Sequence, residues 1–274
     1  MTSIEPLSAL KSTEGAAGQI KQAIRSAASQ SGLDFDLLLG VAKRESSLQA
    51  DAKAKTSSAS GLFQFIDQTW LGAVKEHGEA LGLGDYAKDI TREGRKLVVA
   101  DPARREEILN LRFKPDIAAK VAGKTLSAAK ARVSQALGRE ANPSEVYMAH
   151  FLGERGAIRM LQAGEGAEAA AIDPKAAGAN KSLFFDGARP LSVAEFKGKL
   201  ALHIGVEEPR TPADVQVPLA PRGPVPTRHA APPVTEIPYA PHAASTSTGQ
   251  TLPPQIFAAI VDMQSELLFG KDES

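Results

Sequence analysis

The chain has 274 residues, 43% of them hydrophobic, enough to bury a core and long enough for one large domain or a domain with a tail. Lysine plus arginine and aspartate plus glutamate both number 32, so there is no net basic field to recruit nucleic acid or an anionic membrane. Without cysteine there is no disulfide or thiol chemistry, and the five scattered histidines form no H-x-x-x-H pair, so neither a metal nor a cofactor is expected.

The opening residues, MTSIEPLSALKS, lack the basic start and apolar centre of a secretory signal. No apolar run approaches the ~20 residues that would span a bilayer. Residues 15 to 30 predict a helix, with Ile20, Ala23, Ile24, Ala27 and Ala28 forming one apolar stripe and Gly32 ending it. Asp34 is placed to cap the next helix, and Asp36 adds negative charge in its first turn. Along that helix Leu38, Val41 and Glu45 share a face with Ala42 beside them, while Lys43 and Arg44 point elsewhere. A carboxyl projecting from an apolar face is disfavoured as the anion, so its pKa is expected to rise towards the ~6 of glycosidase acids. Spacing alone also allows a partly solvated glutamate at a fraying helix end.

Residues 49 to 60 read as a surface loop rich in Ala, Ser and Lys, in which Ser57, Ser58 and Ser60 are placed either to cap turns or to bond a sugar. Gly61 to Ile66 is an apolar run interrupted by Gln64, whose amide must satisfy backbone or reach a ligand. Phe63 and Phe65 suit either a core or the flat face of a pyranose. Asp67 is expected to cap a helix carrying Trp70, Leu71 and Val74 on one side and closed by Gly78. Residues 79 to 112 form a polar excursion with a helix starting at Asp101-Pro102, suited to a cleft wall in which Arg92, Arg95 and Lys96 would meet acidic groups.

A further helix is expected over 115 to 137, marked by Ile117, Val121, Leu126, Val133 and Leu137. Asn142 or Ser144 caps the next, which carries Tyr147, His150, Phe151 and Ile158 and is interrupted at Gly153 and Gly156. After a Gly- and Ala-rich stretch, KSLFFDGARPLSVAEF predicts a strand or turn and a final helix through Leu202, with Ser192 and Glu195 spaced as a capping box.

Glu45-Ser46, the loop after it and Gly61-Leu62-Phe63-Gln64 together resemble the E-S…G-L-M-Q signature of the lytic transglycosylases. The resemblance runs on through Thr69 and returns at Tyr147 to Gly153, with Phe63 in place of the commoner Met. It implies an all-α, goose-lysozyme-like catalytic domain over residues 1–205, acting on peptidoglycan. It further implies that Glu45 is the catalytic acid, with Ser46, Ser60, Gln64, Phe65, Thr69, Tyr147 and His150 on the substrate side. Where the family has A-Y-N-x-G, this chain has Ala149-His150-Phe151-Leu152-Gly153, so His150 stands at the tyrosine position that meets the acid. Either His150 or Tyr147, one turn earlier, is expected to take over that contact.

The same resemblance implies a non-hydrolytic cut between N-acetylmuramic acid and N-acetylglucosamine that leaves a 1,6-anhydro sugar, and a place in the periplasm or envelope. A hydrolytic muramidase would need a second carboxylate, for which Glu154 and Glu195 are the candidates. Twelve of the 18 prolines fall between Pro209 and Pro254, so residues 206–254 read as a Pro-rich linker. Residues 255–274 follow as a short amphipathic helix bearing Ile256, Ile260, Met263 and Leu267. Such a face on a tether (residues 255–269) points to a protein partner, and an assembly scaffold working through that helix is the alternative to an enzyme.

Overall fold

The computed structural model describes residues 6–206; the linker and the amphipathic segment expected beyond them lie outside the described residues. The chain runs α1 (Pro6–Ser31), α2 (Phe35–Ser46), α3 (Asp67–His77), α4 (Gly84–Asp89), β1 (Ile90–Glu93) and β2 (Lys96–Val99). It continues through α5 (Pro102–Asn110), α6 (Pro115–Leu137), α7 (Pro143–Gln162), α8 (Ala169–Ile172), α9 (Pro174–Ala179) and α10 (Lys181–Phe184). A two-residue hairpin, β3 (Phe185–Asp186) with β4 (Arg189–Pro190), leads into α11 (Val193–Ile204). The architecture is predominantly helical, and among the described residues no helix is long and apolar enough to cross a membrane.

The core follows the apolar stripes. Ile20, Ile24, Ala27 and Ala28 of α1 are buried, and α1 lies along α6, where Val121, Leu126 and Val133 face inward. In turn α6 packs on α7, and α11 closes over α7 and α2 through Phe196, Leu200 and Ile204. The contact of α11 with α2 is intimate: a Cβ at Gly40 would stand 2.0 Å from the Ile204 carbonyl oxygen. The helix that carries Glu45 is therefore fixed from the far end of the domain.

Helix ends follow the capping chemistry. Asp34 accepts from the Asp36 and Leu37 amides at 2.7 and 3.3 Å, and Asp101 from Ala103 at 2.9 Å. Reciprocal capping boxes start α7 (Asn142 with Glu145) and α11 (Ser192 with Glu195). The Asn142–Glu145 box is reinforced by Arg139, which grips the buried Glu145 carboxylate at 2.8 and 2.6 Å.

Four local expectations are corrected. Asp67 is not a cap; it is the first residue of α3 and pairs with Arg112 (3.0 Å) and Arg105 (2.8 Å). Of the two glycines in α7, only Gly153 interrupts the helix, with φ 71° and ψ 157°, a conformation that excludes most side chains. Gly156 is buried within the helix against the Leu152 Cβ. The stretch before Gly61 is more than a surface loop, because Ser60 forms bridges with both Lys53 and Phe65. Lastly, the polar excursion contains the antiparallel hairpin β1–β2, registered Ile90 to Val99 and Glu93 to Lys96.

Candidate active site

Glu45 lies in the last turn of α2, directly after three buried residues of the same face, Leu38, Val41 and Ala42. Its side chain is 11% exposed. Burial pushes the carboxyl up to about 8, against the opposing charge of Arg44. The acid is therefore protonated at neutral pH, which the apolar stripe foreshadowed in direction.

The other half of the site comes from α7, a hundred residues downstream. His150 Nε2 lies 3.9 Å from Glu45 Oε1, and its ring stacks on Tyr147 with centroids 5.9 Å apart. Burial pushes the imidazole down to about 4, so it is neutral at working pH. Burial and then the Glu45 charge push the Tyr147 phenol well above its ordinary range. Of the two residues expected to take over the contact with the acid, His150 approaches it directly, and Tyr147 stacks on His150. Phe151 turns instead towards Phe196 in the core, 6.2 Å between centroids.

The signature loop is fastened to the acid's helix by Ser46. Its buried hydroxyl donates to the Leu62 carbonyl at 2.8 Å, with Ala42 O at 3.1 Å. Gly61, at φ 79°, brings its Cα so close to the Arg112 carbonyl that a Cβ would stand 2.1 Å from the oxygen. Gln64 also adopts a left-handed conformation (φ 48°), and its Nε2 donates to Gly61 O at 2.9 Å and Ala52 O at 3.1 Å. Ser60 Oγ donates to Ser58 O at 3.2 Å. Through these bonds Ser46, Ser60 and Gln64 hold the loop in shape, and none of the three lines the cleft described below. Trp70 is fully buried, its indole N–H on Ile108 O at 2.7 Å, and packs edge-on to Phe65.

Arg112 was not singled out by sequence reasoning, yet it organises this loop. Only 6% exposed, it donates to the carbonyls of Ser58 (2.9 Å), Phe65 (2.8 Å) and Leu109 (2.8 Å) and pairs with Asp67. Little local marks it, since all these partners but Leu109 lie about fifty residues upstream.

Beside His150 opens a cleft of about 560 Å³ between α3, α6 and α7, walled in part by the β1–β2 hairpin; Glu45 itself is not in its lining. Phe65, Thr69 and His150 line it, so three of the expected substrate-side residues meet there. Arg92 and Leu97 come from the hairpin, as a cleft wall built from the excursion requires; Arg95 and Lys96 are not in the lining. Of the candidate second carboxylates, Glu154 lines the cleft but pairs with Arg132 at 2.5 Å, alongside Glu76 at 2.9 Å. Glu195 does not line it. Bonds from Arg189 and the Ser192 amide hold that carboxyl down at about 2. Among the described residues no cluster of three or more His, Asp or Glu side chains is disposed to bind a metal ion.

Against protein-family models, residues 22–88 match the transglycosylase SLT domain. The matched span contains Glu45, Ser46, the Gly61 to Gln64 loop and Thr69, and the mostly helical architecture agrees with the lysozyme-like fold of that domain. This part of the chain is thereby similar to a lytic-transglycosylase-type domain. His150 and Tyr147 lie beyond the match.

Proposed function

We propose that the protein is a peptidoglycan lytic transglycosylase in which Glu45 is both the acid and the base. The observation that carries this reading is the buried, protonated Glu45 carboxyl next to His150, a neutral imidazole that lines the cleft, where among the described residues the lining carboxylates Glu76 and Glu154 are both paired with Arg132. A single residue can serve both proton transfers only if its pKa lies near working pH, and a value of about 8 meets that condition.

Glu45 gives its proton to the glycosidic oxygen between N-acetylmuramic acid and N-acetylglucosamine as the bond to the muramyl anomeric carbon breaks. The muramyl acetamido group supports the developing positive charge. The carboxylate left on Glu45 then accepts the proton of the same sugar's 6-hydroxyl, whose oxygen bonds to the anomeric carbon and closes the 1,6-anhydro ring. No water is consumed and Glu45 ends as it began. His150 and Tyr147 hold the carboxyl from the α7 side, while Phe65 and Thr69 offer an apolar and a hydroxyl surface to the sugar. Such a substrate places the work in the cell envelope, and the amphipathic segment 255–269 suits docking to an envelope-spanning assembly.

The test is digestion of purified peptidoglycan by the wild type and Glu45→Gln, with products resolved by mass. Anhydromuropeptides from the wild type alone support the reading. Products heavier by one water would make the protein a hydrolase and direct attention to Glu154; no products despite binding would favour a scaffold.

A further inference from the structure

The β1–β2 hairpin gives the cleft two residues, Arg92 and Leu97, and they are cross-strand partners in its register. Two antiparallel strands alone are marginally stable in water, so where such a hairpin stands depends on what tethers it. At its base Ile90 and Val99 are buried, whereas residues 91–96 are all exposed. Leu97 is the anchor between: its buried side chain lies close to α3, with Cδ1 3.5 Å from where a Cβ on Gly72 would stand. Its backbone is gripped by Gln68 of α3, which donates from Nε2 to the Leu97 carbonyl at 3.0 Å and accepts from the Leu97 N–H through Oε1 at 2.8 Å. One side-chain amide thus makes on β2 the reciprocal exchange that a third strand would make. Gln68 itself lines the cleft, next in sequence to Thr69.

Accepting the transglycosylase reading on which this rests, we propose that Gln68 is a positioning residue for the glycan strand. By holding Leu97, and with it Arg92 across the hairpin, it sets the spacing between the hairpin wall and the surface offered by Phe65 and Thr69. A wall held in place before the sugar arrives need not be ordered at the moment of binding. Glu45 and His150 are carried by other elements, α2 and α7. Loss of the grip therefore loosens the wall that meets the sugar and leaves the proton transfers intact, which is the kinetic signature of weakened binding.

The experiment uses the full chain and soluble, uncross-linked peptidoglycan strands. It compares the wild type with Gln68→Met, which keeps the length and removes both bonds, and with Gln68→Glu, which as a carboxylate keeps only the acceptor. In Gln68→Met KM is expected to rise about fivefold to tenfold with kcat within about twofold of the wild type, and Gln68→Glu should fall between. The Kd of the same strands for Glu45→Gln should rise by the same factor when Gln68→Met is added. A merely structural role would lower the folded fraction, and so the apparent kcat, at unchanged KM. That outcome, or an unchanged Kd, overturns the proposal, while anhydro products would still uphold the role of Glu45. Absence of anhydro products from the wild type overturns the transglycosylase reading and this proposal with it.

Discussion

Glu45 and His150 face each other across the α2–α7 junction, with Oε1 and Nε2 3.9 Å apart, side chains 11% and 13% exposed, and opposite displacements of their proton affinities. Burial raises the carboxyl to about 8 and lowers the imidazole to about 4, so both are neutral over the whole interval between. A neutral pair avoids the desolvation cost of two buried charges and leaves a proton available for donation.

This sets the pH–rate profile. Turnover begins with protonated Glu45, so kcat/KM should hold a plateau up to about pH 8 and fall above it as the acid ionises. Below about pH 4 the charging of His150 should cut activity again. A falling limb near pH 5, in the ordinary carboxyl range, would contradict the buried acid.

Stability should fall with rising pH as well, but over a lower window. Folded Glu45 holds its proton up to about 8 but unfolded it releases it near 4.5. Its contribution is thus fully present below about pH 4.5 and lost as pH rises towards 8, on the order of 4 kcal/mol at the limit. Glu45→Gln removes this titration. Urea denaturation should therefore find the variant similar to the wild type at pH 4.5 and progressively more stable by pH 8. Parallel curves would show that the carboxyl is better solvated than its 11% exposure indicates.

Replacing His150 separates polarity from packing. His150→Phe keeps the ring against Tyr147 but offers the Glu45 carboxylate no donor. The expected result is a loss of about tenfold to a hundredfold in kcat and an alkaline limb displaced upward. His150→Tyr, which restores the residue type the lytic transglycosylases carry there, should recover most of the rate. Equal activity in the Phe variant would reduce His150 to a packing residue.

Arg112→Met should destabilise the fold by about 2–4 kcal/mol, because it removes the guanidinium bonds to the Ser58, Phe65 and Leu109 carbonyls and leaves Asp67 with Arg105 alone. Arg112→Lys retains the charge but cannot span these carbonyls and should fall between. Chemical denaturation curves at neutral pH decide this. The same variants should lose activity more steeply than stability alone dictates, since the loop that ends in Phe65 forms the cleft wall.

How much of this the sequence carries follows from the range of each interaction. Capping pairs such as Asp34 with its own helix, or Ser192 with Glu195, act over three residues and are legible directly. The hairpin β1–β2 was missed because its strands are four residues long and only one or two side chains of each are buried, leaving little alternation to detect. An amide in the apolar run calls for backbone or a ligand at Gln64, and sequence alone does not choose; its Nε2 meets the carbonyls of Gly61 and Ala52, which only the loop's own folding brings within reach.

By itself the sequence determined that an acid sits on the apolar side of a helix, next to a glycine-led loop, in an all-helical domain. Helical periodicity and turn chemistry are local, and they assign each residue its face. Only the tertiary structure decided that Glu45 keeps its proton, that His150 comes within 3.9 Å of it, and that Arg112 clamps the loop. Those outcomes depend on desolvation and on partners between forty and a hundred residues away, brought together only when α6, α7 and α11 close around α2.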